Sequence, residues 1–167
     1  PSHRDYGGRA PVSQLGGFIW SIADLTRGVY KPHQYGSIIL PLTILRRLDC
    51  MLADTKAQVL AKAKSVKNPD HLAHVVAQEF GLTFYNTSKL SLGVIGGSDD
   101  HVKEGMLTYL DAFSDNVREV WTAFKFPELL NKLEENNVLW GVVKHFSEID
   151  LSDEALGENA MGNLFEN

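Results

Sequence analysis

The sequence has one cysteine, Cys50, so no internal disulfide can staple the chain, and a reducing, cytoplasmic setting is expected. It has no apolar run approaching the roughly 18 residues that a membrane-spanning helix needs. Its longest apolar stretch, residues 38–42, is interrupted by Pro41. The N-terminus lacks the basic start, apolar middle and small-residue cleavage site of a secretory signal. Internal repeats and low-complexity tracts are missing too, which sets aside solenoids and linker-rich chains.

Chemical signatures are equally scarce. There is no His-Glu-x-x-His, no Cys-x-x-Cys, no Gly-x-Ser-x-Gly, no Gly-x-Gly-x-x-Gly after a strand and no Gly-Lys-Ser/Thr. His71 and His74 form the one histidine pair at helical spacing, and they read as a solvated or partly packed pair because no third ligand is in register. The cluster Gly93-Val94-Ile95-Gly96-Gly97 reads as a turn between periodic segments and is assigned no ligand. The expected catalytic, cofactor and metal sets are therefore all empty.

What the sequence does contain is helical periodicity. Hydrophobic residues make up 44% of 167 positions, enough for one sizeable core. Leu15, Phe18, Ile19, Ile22 and Leu25 recur at three and four, predicting a helix over residues 12–27 ended by Gly28. Pro32 opens the next segment, and Pro41 should kink or divide it. From 42 to 66, Ile44, Leu45, Leu48, Met51, Leu52, Val59 and Val66 share a face, predicting the longest helix. Asn68 and Gly81 bracket another helix as cap and stop.

Residues 82–97 lose the helical period and predict an irregular loop or short hairpin, after which amphipathic pieces recur near 100–113, 115–125, 127–136 and 138–147. The fold expected is all-α, a compact domain of seven or eight helices. Trp20, Trp121 and Trp140 sit at apolar helical positions and are expected in the core, and Cys50 is read as a small buried hydrophobe.

Charge is unevenly placed. Residues 145–167 hold six acids and no Lys or Arg, so the net −5 of the whole chain leaves +1 on residues 1–144. Between 42 and 67, Arg46, Arg47, Lys56, Lys62, Lys64 and Lys67 face only Asp49 and Asp54. On one continuous helix, Arg46, Lys56, Lys64 and Lys67 would fall within about 80°. These four are the DNA-contact candidates, since such a stripe can meet phosphates without reading sequence. The same stripe could equally be a solvated helix face, because Asp49 lies in it and no aromatic residues interleave.

The division expected is a disordered or artificially added tail over 1–11, a helical domain over 12–149 and, from 150 to 167, a connector leading into a domain that is cut off. Leu151-Ser152-Asp153-Glu154 looks like a helix cap, and Met161-Gly162-Asn163-Leu164-Phe165-Glu166 begins another apolar-periodic segment.

Longer matches carry a resemblance. Phe18-Ile19-Trp20-Ser21-Ile22-Ala23-Asp24-Leu25-Thr26-Arg27-Gly28, then Lys31-Pro32-His33-Gln34-Tyr35-Gly36 and Ile39-Leu40-Pro41-Leu42-Thr43-Ile44-Leu45-Arg46-Arg47-Leu48-Asp49, form one block. Phe84-Tyr85-Asn86-Thr87-Ser88, Phe113-Ser114-Asp115-Asn116-Val117-Arg118 and Phe146-Ser147-Glu148-Ile149-Asp150-Leu151 form others. Together they resemble the N-terminal helical domain of the modification (DNA adenine methyltransferase) subunit of type I restriction-modification enzymes.

The resemblance implies a parent that transfers methyl from S-adenosylmethionine to adenine N6 in DNA. It implies DNA, a specificity subunit, a second methylase subunit and a restriction subunit as partners. The family's cofactor loop and Asn-Pro-Pro-aromatic motif would lie beyond residue 167, so these residues are expected to be inactive alone, to bind no cofactor, and to serve DNA clamping, subunit docking or both. Asn68-Pro69-Asp70 lacks the second proline and the aromatic and reads as a helix cap. The alternative function is a stand-alone helical protein-interaction adaptor without an enzymatic role.

Overall fold

A computed structural model describes residues 10–157, and among them all regular structure is helical. Helix α1 spans Ala10–Leu25; a 3-10 turn at Pro32–Gln34 leads into α2, Tyr35–Leu52. A second 3-10 turn, Ala53–Thr55, precedes α3, Lys56–Ser65, and α4, Pro69–Phe80. The single turn α5, Leu92–Ile95, is followed by α6, Val102–Asp111, α7, Asp115–Ala123, α8, Phe126–Glu135, and α9, Leu139–Glu148; α10, Asp153–Leu156, is again one turn. Eight of these helices have nine or more residues, so the all-α expectation holds.

The signals at helix ends work as read. Asn68 Oδ1 accepts from the His71 N–H (3.0 Å), Pro69 takes the first turn of α4, and Gly81 ends it with φ +67°. Ser152 Oγ accepts from the Ala155 N–H (3.3 Å) and starts α10.

Helix α9 lies at the centre, with Val142, Val143 and Phe146 fully buried and α1, α2, α5, α6 and α8 packed around it. Two glycines permit this crowding. A Cβ on Gly141 would stand 3.1 Å from Leu25 Cδ2, and one on Gly96 would stand 3.1 Å from the Leu92 carbonyl and 3.3 Å from Lys144 Cα. The glycine cluster thus forms α5 and its tight seat on α9. Two smaller apolar clusters flank the main core: Val59, Leu72, Val76 and Tyr85 join α3 to α4, and Leu15, Ile149, Leu151 and Leu156 join α1 to the chain after α9.

Three expectations need correction. Helix α2 runs through Pro41 undivided, because Ile38, Leu42 and Leu45 are all fully buried and their packing outweighs the roughly 3 kcal/mol that an internal proline costs. The break falls instead at Ala53–Thr55, where Asp54 and Thr55 are weak helix formers and the chain leaves the main core for the α4 cluster. Residues 42–66 are therefore two helices. Over 82–97 the irregular-loop alternative holds, with α5 inside it: a lone bridge pairs Asn86 with Phe113, and Ser114 N–H donates to the Tyr85 carbonyl (2.9 Å), tying the segment to the α6–α7 junction. Of the three tryptophans only Trp121 is core; Trp20 is 73% and Trp140 39% exposed. The Trp140 indole N–H donates to the Gly96 carbonyl (3.0 Å).

Residues 150–157 pack on the helical body, with Leu151 and Leu156 buried. The tail before Ala10 and the Met161 to Glu166 segment lie outside the described residues.

Candidate nucleic-acid interface

Dividing the 42–66 segment separates the four cations that the continuous helix would have aligned. Arg46 stays on α2 and turns inward, its side chain only 16% exposed. Its Nη1 donates to Asp49 Oδ2 (2.6 Å) and its Nε to the Ile149 carbonyl (2.8 Å). Arg47 donates to the Leu151 carbonyl (2.7 Å) and pairs with Asp153. Both guanidinium groups are thus committed to the segment after α9.

Asp49 anchors this arrangement. Its side chain is 4% exposed and accepts from the Tyr109 hydroxyl, the Leu92 N–H (3.3 Å) and Arg46. Burial, and then the Asp49 charge beside it, hold the Tyr109 hydroxyl far above the usual tyrosine range, so it stays a donor. Lys56, at the start of α3, is half-buried with its ammonium 5.7 Å from the Tyr109 ring centroid. Burial pushes its pKa down and the Asp49 charge partly restores it. Cys50, half-buried next to them, has its thiol pushed up by burial, against a hydrogen bond from the Leu151 backbone.

Lys64 and Lys67 do the opposite and face solvent. They line a cleft of about 670 Å³ that runs between α3 and the chain joining α6 to α7. Leu60, Leu72 and Tyr85 contribute to its walls, and Lys89 and Arg118 bring two further cations. Arg118 is engaged, pairing with Asp115 and donating to the Asp111 carbonyl (3.3 Å). Among the described residues, Lys64, Lys67 and Lys89 have no acidic partner within ion-pair distance, whereas nearby Lys62 is paired with Glu79 (3.1 Å). With Asp111 and Asp115 counted, the cleft lining carries +2.

The structure therefore brings together Lys64 and Lys67, holds Lys56 apart near Tyr109, and removes Arg46 to the interior. Lys89 and Arg118 are additions that no spacing announces, since they reach the cleft only through the pairing of residues 85–87 with 112–114. Such a lining can neutralise backbone phosphates but offers no fixed fork for reading a base edge.

Among the described residues no group of three His, Cys, Asp or Glu side chains is arranged to hold a metal ion, and no helix is long and apolar enough to cross a membrane. Searches of curated proteins and of solved structures returned no match. A family model described as the HsdM N-terminal domain matches residues 15–146.

Proposed function

The chain belongs to the HsdM N-terminal domain family, the N-terminal domain of the modification subunit of type I restriction-modification enzymes, and on that premise we propose that it is a non-catalytic module that holds the DNA backbone for an adenine-specific methyltransferase. The parent would take its methyl group from S-adenosylmethionine and work beside a specificity subunit, a second methylase subunit and a restriction subunit in the cytoplasm.

The observation that carries the DNA reading is the cleft with three exposed lysines, Lys64, Lys67 and Lys89, that have no acidic partner among the described residues. Outside the cleft, Arg27, Arg46, Arg47, Lys62, Lys103 and Lys144 are matched by acids, and the cations without an acidic partner among the described residues, Lys31, Lys56, Lys125 and Lys132, do not line this cleft. Free ammonium groups lining one cleft are what phosphate contact requires, because each contact gains by releasing a counterion from the DNA.

Fluorescence anisotropy with a duplex of about two helical turns tests it. Three phosphate contacts give a slope of roughly −2.7 for log affinity against log salt, or about a 40-fold loss between 50 and 200 mM. Joint Lys64→Ala, Lys67→Ala and Lys89→Ala should abolish both the binding and its salt slope; a triple variant that binds as the unmodified chain does would refute the assignment.

A further inference from the structure

Four cations line the cleft, but only three of them are available to a ligand. Lys64, Lys67 and Lys89 have no acidic partner among the described residues, whereas Arg118 pairs with Asp115 across one turn of α7. Both partners are open to solvent, the Asp115 side chain at 72% and that of Arg118 at 44%, and exposed pairs of this kind contribute little to stability. What the pair does change is the charge that the cleft presents, because it cancels the one guanidinium among the ammonium groups.

Arg118 is nonetheless held where a ligand in the cleft can reach it. Its Nη1 donates to the Asp111 carbonyl (3.3 Å), a hold that does not involve the Asp115 carboxylate. The start of α7 is itself fixed: Ser114 Oγ accepts from the Tyr85 N–H (3.2 Å) and donates to Asn116 Oδ1 (2.7 Å), while Asn116 Nδ2 donates to the Thr83 carbonyl (3.0 Å). Removing the Asp115 charge therefore frees Arg118 Nη2 and leaves the guanidinium tethered at the cleft. A guanidinium presents a planar fork that can take two phosphate oxygens at once, which an ammonium group cannot do.

We propose that Arg118 is a fourth phosphate ligand of the cleft, kept in reserve by Asp115, so that this ion pair sets how tightly the chain holds DNA. The inference rests on the DNA reading of the cleft and makes that hold adjustable. While the pair is closed, a phosphate approaching Arg118 meets a carboxylate already in place, and the two anions repel. Whatever takes the Asp115 carboxylate away from Arg118 turns a hold of three contacts into one of four.

The same anisotropy titration of the 167-residue chain, run from 50 to 200 mM salt, tests this. Asp115→Asn should steepen the slope from roughly −2.7 to roughly −3.6 and tighten binding about 15-fold at 50 mM but only about 4-fold at 200 mM. Adding Arg118→Ala to that variant should restore the original slope. Asp111→Asn removes an acid from the same lining without freeing a cation, and should leave the slope as it was. An unchanged slope in Asp115→Asn overturns the proposal. So does a steeper slope that survives Arg118→Ala or that Asp111→Asn reproduces, since the overall charge of the cleft would then be the cause. Should Asp115→Asn lower the melting temperature, Asp115→Ser is equally uncharged and is read the same way. A chain that binds no duplex sinks the DNA reading and this proposal with it; one that binds through the three lysines but ignores Asp115→Asn sinks this proposal alone.

Discussion

Replacing Asp49 by Ala would strand three donors at once: the Tyr109 hydroxyl, the Leu92 N–H and a largely buried Arg46 guanidinium. Removing one partner of a buried ion pair costs about 3–5 kcal/mol, so Asp49→Ala should lower the melting temperature by roughly 6–20 °C in thermal denaturation. Tyr109 makes the network sensitive to alkali. Its folded pKa lies well above the ordinary tyrosine value of about 10, so the native state keeps a proton that the unfolded chain releases. The resulting stability is complete below pH 10 and falls as pH rises beyond it, by about 1.4 kcal/mol per pH unit for one such group. Tyr30 and Tyr85 are shifted the same way by burial and add to the decline. Tyr109→Phe should therefore flatten the loss of stability above pH 10 by that one-proton share, as denaturant titrations at several pH values would show. None of this was legible beforehand: in the sequence Arg46 and Asp49 are members of a charged helical sector, and nothing in their spacing reveals a carbonyl 103 residues away.

Helix identities followed from periodicity and caps, whereas helix junctions followed from where packing partners lay. The α4 boundaries were readable because Asn68, Pro69 and Gly81 act through local backbone chemistry. The 53–55 break was not, because a continuous apolar face over 42–66 does not say that its halves serve different clusters. The glycine cluster near α5 makes a measurable distinction between conformation and contact. Gly96→Ala should cost about 1–3 kcal/mol, because its Cβ would press on backbone atoms of α5 and α9 that cannot rotate aside. Gly93→Ala should be neutral or stabilise by up to about 1 kcal/mol, since its Cβ meets only Ser91 Oγ at 3.8 Å and alanine suits a helical position better. Equal effects in chemical denaturation would refute the close-approach explanation of Gly96.

For the molecule as a whole, the proposed function makes the chain a module that positions partners and leaves methyl transfer to other parts of the parent. Titration calorimetry of the 167-residue chain with S-adenosylmethionine should show no saturable heat; saturable binding would show that this module carries a cofactor site of its own. The net charge of −5 does not oppose DNA contact, because six of the acids lie in residues 145–167 while the cleft lining is positive. Raising salt should weaken duplex binding but leave thermal stability nearly unchanged, since the Asp49 network is shielded from solvent and the cleft lysines are not.

Sequence alone determined the fold class, the helices with strong period and caps, and the family, because these depend on local backbone preference and on the order of residues. Tertiary structure alone decided which charges are available. Arg46 and Lys64 occupy the same sector of an ideal helix, but one ends in a buried carboxylate network and the other in open water. It likewise decided that Trp121 is core while Trp20 stands exposed on α1. Burial is a property of the neighbours that folding supplies, and a residue's own spacing in the chain does not contain it.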